Sequence, residues 1–267
     1  MKKRALSAVL LFVLLAILTG CGDAPNMETT ATKAAAITAA TATDVAAESE
    51  QSPTEEAEIL TEGDASSCDI DTIYAEQIAR YHTALSEKWD EGKYFENGMS
   101  ALPYYYYAGN PMDNVGFGFV DLDKDGCWEL VIGAIQNAEQ DPAVFEIWTL
   151  VDGAPVMLVQ GGSRNRYVLA YVEEDDIWYV VNEASNSAFN HATYYLMLNA
   201  GALEVVQGIV FDASADEQNP WFMTYDLDWD VSNDEPIDEE TADAILESNQ
   251  KHYVAPAYFP YALYQSE

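Results

Sequence analysis

Apolar residues from Ile70 to Trp89 recur at steps of three and four positions, the spacing that places them along one face of an α-helix. Asp69 or Asp71 could cap the first turn, and Gly92 follows the last apolar position. The pattern therefore predicts an amphipathic helix from about 71 to 91.

A second helix is predicted from about 238 to 250, where Asp238 can cap the first turn and Glu239 and Glu240 lie at the positive end of the helix dipole. Between the two helices the pattern changes to short runs rich in β-branched and aromatic residues, which are typical of strands. These runs are NVGFGFV, ELVIGAI, VFEIWTL, PVMLVQ, RYVLAYV, IWYVVN, TYYLMLN and LEVVQGIVF.

Turn-forming residues separate the runs, for example Asp152-Gly153, the acidic stretch 173–176 and Asn199-Ala200-Gly201. Short connections between successive strands produce an antiparallel meander. We therefore expect the α+β class, with an antiparallel β-meander sheet packed against an N-terminal and a C-terminal helix. One hairpin of this sheet would carry the acidic loop described below.

The first residues, MKKRALSAVLLFVLLAILTGCG, combine a basic start with an apolar stretch that ends in small residues. This is the form of a signal peptide, and the stretch is shorter than the roughly 20 residues that a membrane-spanning helix needs. The ending Leu18-Thr19-Gly20-Cys21 resembles the lipobox of bacterial lipoproteins.

The lipobox resemblance implies that Cys21 receives a diacylglyceryl group, with acyl chains such as palmitate, and becomes the mature N-terminus. Two acyl chains on one residue meet the requirement for stable membrane anchoring. We therefore expect an extracytoplasmic protein that is lipid-anchored to the outer face of the cell membrane.

The chain divides into three parts by composition. Residues 1–20 form the signal peptide, and residues 21–67 begin with the lipidated Cys21 and continue as an Ala-, Thr- and Glu-rich linker without aromatic residues. Such a segment cannot build a core and is expected to be disordered. Residues 68–267 hold every aromatic residue except Phe12 and form a single α+β domain of ordinary size.

The formal net charge is −35 at pH 7, and removal of the basic signal peptide makes it more negative still. Binding of nucleic acid depends on Lys and Arg that neutralise phosphates, so nucleic acid is excluded as a partner. The simple explanation of the acidity is solubility, and we expect a monomer with divalent cations as natural counter-ions.

Three cysteines are present, and lipidation of Cys21 leaves Cys68 and Cys127. Outside the cytoplasm these two could form a disulfide. Two separate thiols fit the sequence equally well, because spacing does not show proximity.

The sharpest motif is FVDLDKDGCWELVI, in which acidic residues alternate along a short loop. Alternate carboxylates on a tight loop converge on one point, as a hard cation with six to eight oxygen ligands requires, and Gly126 permits a positive φ. The predicted calcium ligands are Asp121, Asp123, Asp125, the backbone carbonyl of Cys127 and Glu129.

This loop resembles the DxDxDG loops of EF-hands, dockerins and FG-GAP repeats. With Asp121 as position one, position twelve is Ile132, so the bidentate glutamate of an EF-hand is missing, while Glu129 stands at position nine. The flanking runs are strand-like, which favours a calcium loop inside a β-hairpin. The alternative is a solvated acidic turn held by Asx hydrogen bonds.

The folded region, roughly residues 68 to 260, also resembles a type of lipoprotein domain found in Gram-positive bacteria. The motifs that carry this resemblance are the acidic loop, GGSRNRY at 161–167, NEASN at 182–186 and NPW at 219–221. The resemblance implies an architecture and a Gram-positive-type cell-surface location, and it implies no activity.

Three features could bind a ligand. Arg164 and Arg166 follow two glycines and could contact a carboxylate or a sugar, although salt bridges within the chain also explain them. The run Tyr104–Tyr107 could stack on a glycan or pack in the core, and the segment Asn182–His191 could line a site or form a hydrogen-bonded loop. The candidate ligand-binding residues are Tyr105, Arg164, Arg166, Asn182, Glu183 and Asn186.

Signatures of catalysis are mostly missing, since the sequence contains neither a GxSxG nor an HExxH motif. We therefore favour a calcium-stabilised domain that binds a glycan or an envelope protein without catalysis. The alternatives are an extracellular glycosidase-like hydrolase with paired carboxylates and a structural or regulatory partner of an envelope protein. The run Asp226–Asp230 imitates half of a calcium loop, but Val231 stands where glycine is expected, which favours a single cation site.

Overall fold

The computed structural model describes residues 70–135 and 142–265. In this part of the chain, a twelve-stranded antiparallel sheet is joined by a few helices, which confirms the predicted α+β meander. The predicted signal peptide, Cys21, the linker and Cys68 lie outside the described residues.

The N-terminal helical region is broken into several pieces. The helices are α1 (Ile70–Ile73), α2 (Ala75–Ser86), α3 (Glu91–Glu96) and α4 (Pro111–Asn114), with a 3-10 helix at Leu102–Tyr106. The predicted helix from 71 to 91 is therefore confirmed as far as Ser86, with an interruption at Tyr74, whereas its continuation to 91 was wrong because a separate helix begins at Glu91. Lys88 adopts a left-handed φ of 52°, which turns the chain after α2. Asp90 then caps α3 by accepting from the Lys93 N–H at 2.8 Å, so Gly92 lies inside a helix.

Most strands match the predicted runs. They are β1 (Val115–Val120), β2 (Glu129–Ala134), β3 (Val144–Val151), β4 (Ala154–Gln160), β5 (Asn165–Val172), β6 (Ile177–Ser187), β7 (Asn190–Asn199), β8 (Ala202–Asp212), β9 (Trp221–Thr224), β10 (Glu235–Pro236), β11 (Tyr253–Val254) and β12 (Phe259–Pro260). All eight predicted strand runs are confirmed, whereas β9 to β12 were not foreseen.

The sheet follows the order β10-β9-β8-β7-β6-β5-β3-β2-β1-β12, with β4 paired to β3 and β11 to β5. Consecutive strands pair antiparallel from β1 to β4 and from β5 to β10. The segment Asn182–His191, left open by the sequence, belongs to the β6–β7 hairpin. The two halves of the sheet meet where Val144 of β3 pairs with Tyr167 of β5.

The core has clusters on both sides of the sheet. Buried side chains of α2, such as Tyr81 and Leu85, pack on one face of β1–β3. The other face of these strands shares a second cluster with β5–β9, which includes Ile147, Leu169 and Val210. Strands of both halves of the sheet therefore contribute to one cluster.

The C-terminal helix α5 (Glu239–Gln250) begins as predicted. The Asp238 side chain accepts from the Thr241 N–H at 2.8 Å, and Ala242 is fully buried. A smaller cluster that includes Val181 and Tyr195 lies on the nearby face of the sheet, with Tyr253 packed against it just after α5. This placement brings the end of α5 next to β5 and β6.

Candidate metal centre and ligand cleft

The acidic loop joins β1 to β2, whose pairing runs from Val115 opposite Ala134 to Val120 opposite Glu129. Carboxylates inside the loop cap its backbone: the Asp125 N–H donates to Asp123 Oδ1 at 3.3 Å, and the Cys127 N–H donates to Asp125 Oδ1 at 2.7 Å. These Asx turns fix the loop locally.

Two backbone features complete this turn. Lys124 and Gly126 have φ values of 61° and 87°, and the Gly126 N–H donates to Asp121 Oδ2 at 3.2 Å. Positive φ at position 126 is what glycine accommodates without a steric cost. Lys124 also forms an exposed salt bridge with Asp176 of the β5–β6 turn at 2.9 Å, which contributes little stability.

Three of the predicted ligands converge. Asp121, Asp123 and Glu129 each present a carboxylate oxygen, and these oxygens lie within 4.8 Å of one another. Oδ1 of Asp121 is buried and has no hydrogen-bond partner among the described residues. This all-oxygen set with one buried, unsatisfied oxygen could hold a metal ion.

Glu129 is the fixed member of this set. It is 2% exposed at the start of β2, and its two oxygens accept from the Leu122 N–H at 2.8 Å and the Thr149 hydroxyl at 3.0 Å. Burial raises the pKa of Glu129 to about 7 despite these donors. Burial and then the neighbouring charge of Asp125 also raise the pKa of Asp123. Both shifts disfavour the ionised carboxylates, because these groups are partly buried and lie close to other negative charges.

The other two predicted ligands are placed differently. Asp125 is exposed, and one of its oxygens is used by the Cys127 N–H. Its carboxylate is not among the three whose oxygens converge in the described structure. Asp125 and the Cys127 carbonyl therefore stay predictions as ligands, and the predicted partner of Cys127, Cys68, lies outside the described residues.

A separate cleft of about 800 Å³ lies where the 3-10 helix, β5, β6 and the end of α5 meet. It brings together three of the candidate residues, Tyr105, Arg166 and Glu183. The full lining is Leu102, Tyr105, Tyr106, Pro142, Ala143, Ser163, Arg166, Tyr167, Val168, Glu183, Gln250 and Tyr253. The lining thus combines four tyrosines with polar and charged side chains.

The two charged residues of this cleft, Arg166 and Glu183, neutralise each other. Arg166 Nη2 lies 2.7 Å from Glu183 Oε2, so the salt bridge that the sequence allowed as an alternative does form. Tyr105 is 58% exposed, and its hydroxyl donates to Glu91 Oε1 at 3.2 Å. Among the described lining residues Glu183 supplies the one carboxylate, whereas glycoside hydrolysis needs a pair.

The remaining candidates lie around a neighbouring depression of about 460 Å³ that also contains Tyr167. Arg164 Nη1 donates to the Asn186 carbonyl at 2.9 Å. Asn182 donates to Asn165 Oδ1 at 2.7 Å and to the Arg166 carbonyl at 3.1 Å. These contacts hold the hairpin and the preceding turn together.

Some lining residues of the larger cleft escaped the sequence analysis. Tyr167, Gln250 and Tyr253 come from β5, α5 and β11. A tyrosine directly after an amphipathic helix is a weak signal for Tyr253. Nothing in the sequence shows that these positions share a cleft with Tyr105.

No family model matches the chain, and comparison with curated proteins and with solved structures finds no similar one. None of the helices in residues 70–135 and 142–265 has the length and apolar composition needed to cross a bilayer.

Proposed function

We propose that this protein is a lipid-anchored, extracytoplasmic, calcium-stabilised domain that binds a neutral glycan in the tyrosine-lined cleft without catalysing a reaction. The observation that carries the proposal is the meeting of Tyr105, Tyr167 and Tyr253 with the Arg166–Glu183 pair around one cavity.

The chemistry of the cleft favours a sugar over other ligands. Aromatic faces stack on the apolar faces of sugar rings, and the polar atoms of Ser163 and Gln250 are available to hydroxyl groups. The salt bridge leaves little net charge in the cleft. The net negative charge of the chain, −35 for the full sequence, repels anionic polymers at long range.

Calcium supplies the missing countercharge in the β1–β2 loop. The three converging carboxylates and the buried oxygen of Asp121 suit a cation that accepts irregular coordination by six to eight oxygens, whereas magnesium demands a near-ideal octahedron. Outside the cytoplasm calcium is abundant, so a loop of modest affinity suffices. The anchor at Cys21 rests on the lipobox alone.

Affinity electrophoresis of the full chain in detergent tests the ligand class. We expect neutral polysaccharides such as galactomannan or soluble chitin oligomers to retard the chain, and anionic polygalacturonate not to. Tyr105→Ala should weaken binding about tenfold through loss of ring stacking.

The matched control is Phe189→Ala, which removes an aromatic side chain that is 69% exposed and does not line the cleft. It should migrate like the wild type. Equal retardation of the Tyr105→Ala variant, or release of sugar from the polymer, would refute non-catalytic binding at this cleft.

Calcium is expected to stabilise the protein far more at pH 7.5 than at pH 5. The pKa of Glu129 in the cation-free protein is raised from 4.5 to about 7. The stability that this residue contributes is complete below pH 4.5 and is lost as the pH rises through about 7, because the unpaired charge must then be buried. Calcium removes this loss, since it requires the ionised carboxylate.

Thermal melting with calcium and with chelator at the two pH values measures the effect. In chelator, raising the pH from 5 to 7.5 should lower the melting temperature of the wild type. The same change of pH should lower the melting temperature of the Glu129→Gln variant much less. A calcium-induced shift of equal size at both pH values would argue against Glu129 as a ligand.

A further inference from the structure

Three aromatic residues lie side by side across β7, β8 and β9. His191 of β7 lies opposite Phe211 of β8, and Phe211 lies opposite Trp221 of β9. Residues directly opposite each other in antiparallel strands place their side chains on the same face of the sheet. All three are half-buried, and none belongs to a core cluster of the described residues. These three residues are called the aromatic platform below.

The platform shares its face of the sheet with the charged pair of the cleft. Arg166 lies opposite Glu183, and Ser185, two residues further along β6, lies opposite His191. Side chains two residues apart in a strand point to the same face. Neighbouring strands lie about 4.8 Å apart and successive residues about 3.3 Å apart, so the backbone of His191 is roughly 8 Å, and that of Phe211 roughly 12 Å, from the backbone of Glu183. The platform is therefore next to the cleft.

The rings of the platform hold one flat aromatic surface in place. The rings of His191 and Phe211 are stacked, with centroids 4.8 Å apart and an angle of 19° between their planes. The Trp221 ring is at 69° to Phe211 and 88° to His191, with centroid distances of 4.9 and 6.0 Å. Because Trp221 is close to both stacked rings and steep to both, one face of its indole lies against their edges. Its other face has no ring partner in the described part of the chain.

The platform also carries polar atoms that are available to a ligand. The indole N–H of Trp221 and the ring nitrogens of His191 have no hydrogen-bond partner within residues 70–135 and 142–265, and none of these atoms is buried. Burial of the ring lowers the pKa of His191, so this side chain is neutral at pH 7 and offers one donor and one acceptor. The platform thus joins an aromatic face to hydrogen-bonding groups without adding a charge.

We propose that the aromatic platform is a second subsite of the cleft, and that it binds the continuing chain of a neutral linear polysaccharide whose first sugar units occupy the cleft. This proposal rests on the proposed function. The free indole face of Trp221 stacks on a sugar ring, and its N–H and the His191 nitrogens bond sugar hydroxyl groups. A neutral occupant follows from the uncharged platform and from the salt bridge in the adjoining cleft.

The neighbouring row of side chains on this face sets the path of the bound chain. Ile209 lies opposite Thr193 and Met223, and Ile209 and Met223 are only 1% and 2% exposed. Helix α5 packs on β9. The open path from Glu183 towards β9 therefore runs over the platform, which suits a linear chain of several sugar units.

Titration calorimetry of the full chain in detergent and calcium, with the disaccharide and the hexasaccharide of chitin and of mannan, tests the proposal. The disaccharide fills only the cleft, so we expect the wild type to bind the hexasaccharide of the preferred polymer about tenfold more tightly. Trp221→Leu keeps an apolar side chain but loses the flat face. It should bind the hexasaccharide about tenfold more weakly and the disaccharide as the wild type does, whereas Tyr105→Ala should weaken both.

The matched control is Tyr225→Leu, which removes a 59% exposed aromatic ring just beyond the opposite end of β9 and should bind both oligomers like the wild type. Circular dichroism establishes that each variant is folded, and the comparison of the two oligomers on the wild type needs no variant. The proposal is overturned if the wild type binds both oligomers equally tightly, or if folded Trp221→Leu binds the hexasaccharide as tightly as Tyr225→Leu. Both outcomes leave binding in the cleft intact, whereas a wild type that binds no oligomer refutes the proposed function as well.

Discussion

The Asp123→Asn variant is expected to melt about 5–10 °C below the wild-type chain in millimolar calcium. Calcium at about one hundred times its dissociation constant stabilises the folded state by about 2.7 kcal/mol. For a domain of roughly 200 residues, 1 kcal/mol corresponds to roughly 2–4 °C. Chelator should lower the melting temperature of the wild type by a similar amount and should change the melting temperature of the variant little.

Asparagine is the informative replacement, because its side-chain oxygen can still accept from the Asp125 N–H while the charge is lost. The matched control is Asp216→Asn, since Asp216 likewise caps the Gln218 N–H at 2.9 Å in an exposed turn. It should keep the full response to calcium. Equal responses of the Asp123→Asn and Asp216→Asn variants would exclude Asp123 as a ligand.

The Cys21→Ser variant is expected to lose lipid attachment completely. The lipobox resemblance makes the Cys21 thiol the acceptor, and a serine hydroxyl is not a substitute nucleophile at neutral pH. Metabolic labelling with radioactive palmitate should label the wild type and leave this variant unlabelled. Cys127→Ser is the control and should be labelled normally, while label retained on the Cys21→Ser chain would refute the anchor.

Local patterns predicted much of the fold. The runs of alternating and β-branched residues predicted eight strands with nearly correct limits, and Asp238 predicted the start of α5. Both signals lie within a few residues of the element that they define. The acidic loop was predictable for the same reason, since its residues from Asp121 to Glu129 all lie within one hairpin.

Other features depend on contacts that are distant in sequence. The left-handed turn at Lys88 breaks a helical apolar pattern that continues to Trp89, so periodicity alone predicts one helix. The two-residue strands β10 to β12 are too short to show alternation.

The cleft shows this limit most clearly. Tyr105, Arg166 and Glu183 were selected for their chemistry, but their meeting with Gln250 and Tyr253 requires α5 to fold back beside β5.

Binding at the cleft is tested most directly by hydrogen exchange of the full chain with and without the neutral polysaccharide fragment that retards it most. Protection is predicted in the segments 102–106, 163–168 and 250–253, each of which carries lining residues of the cleft. Protection confined to other segments, such as the exposed tip of the β6–β7 hairpin around Phe189, would contradict binding at the tyrosine-lined cleft.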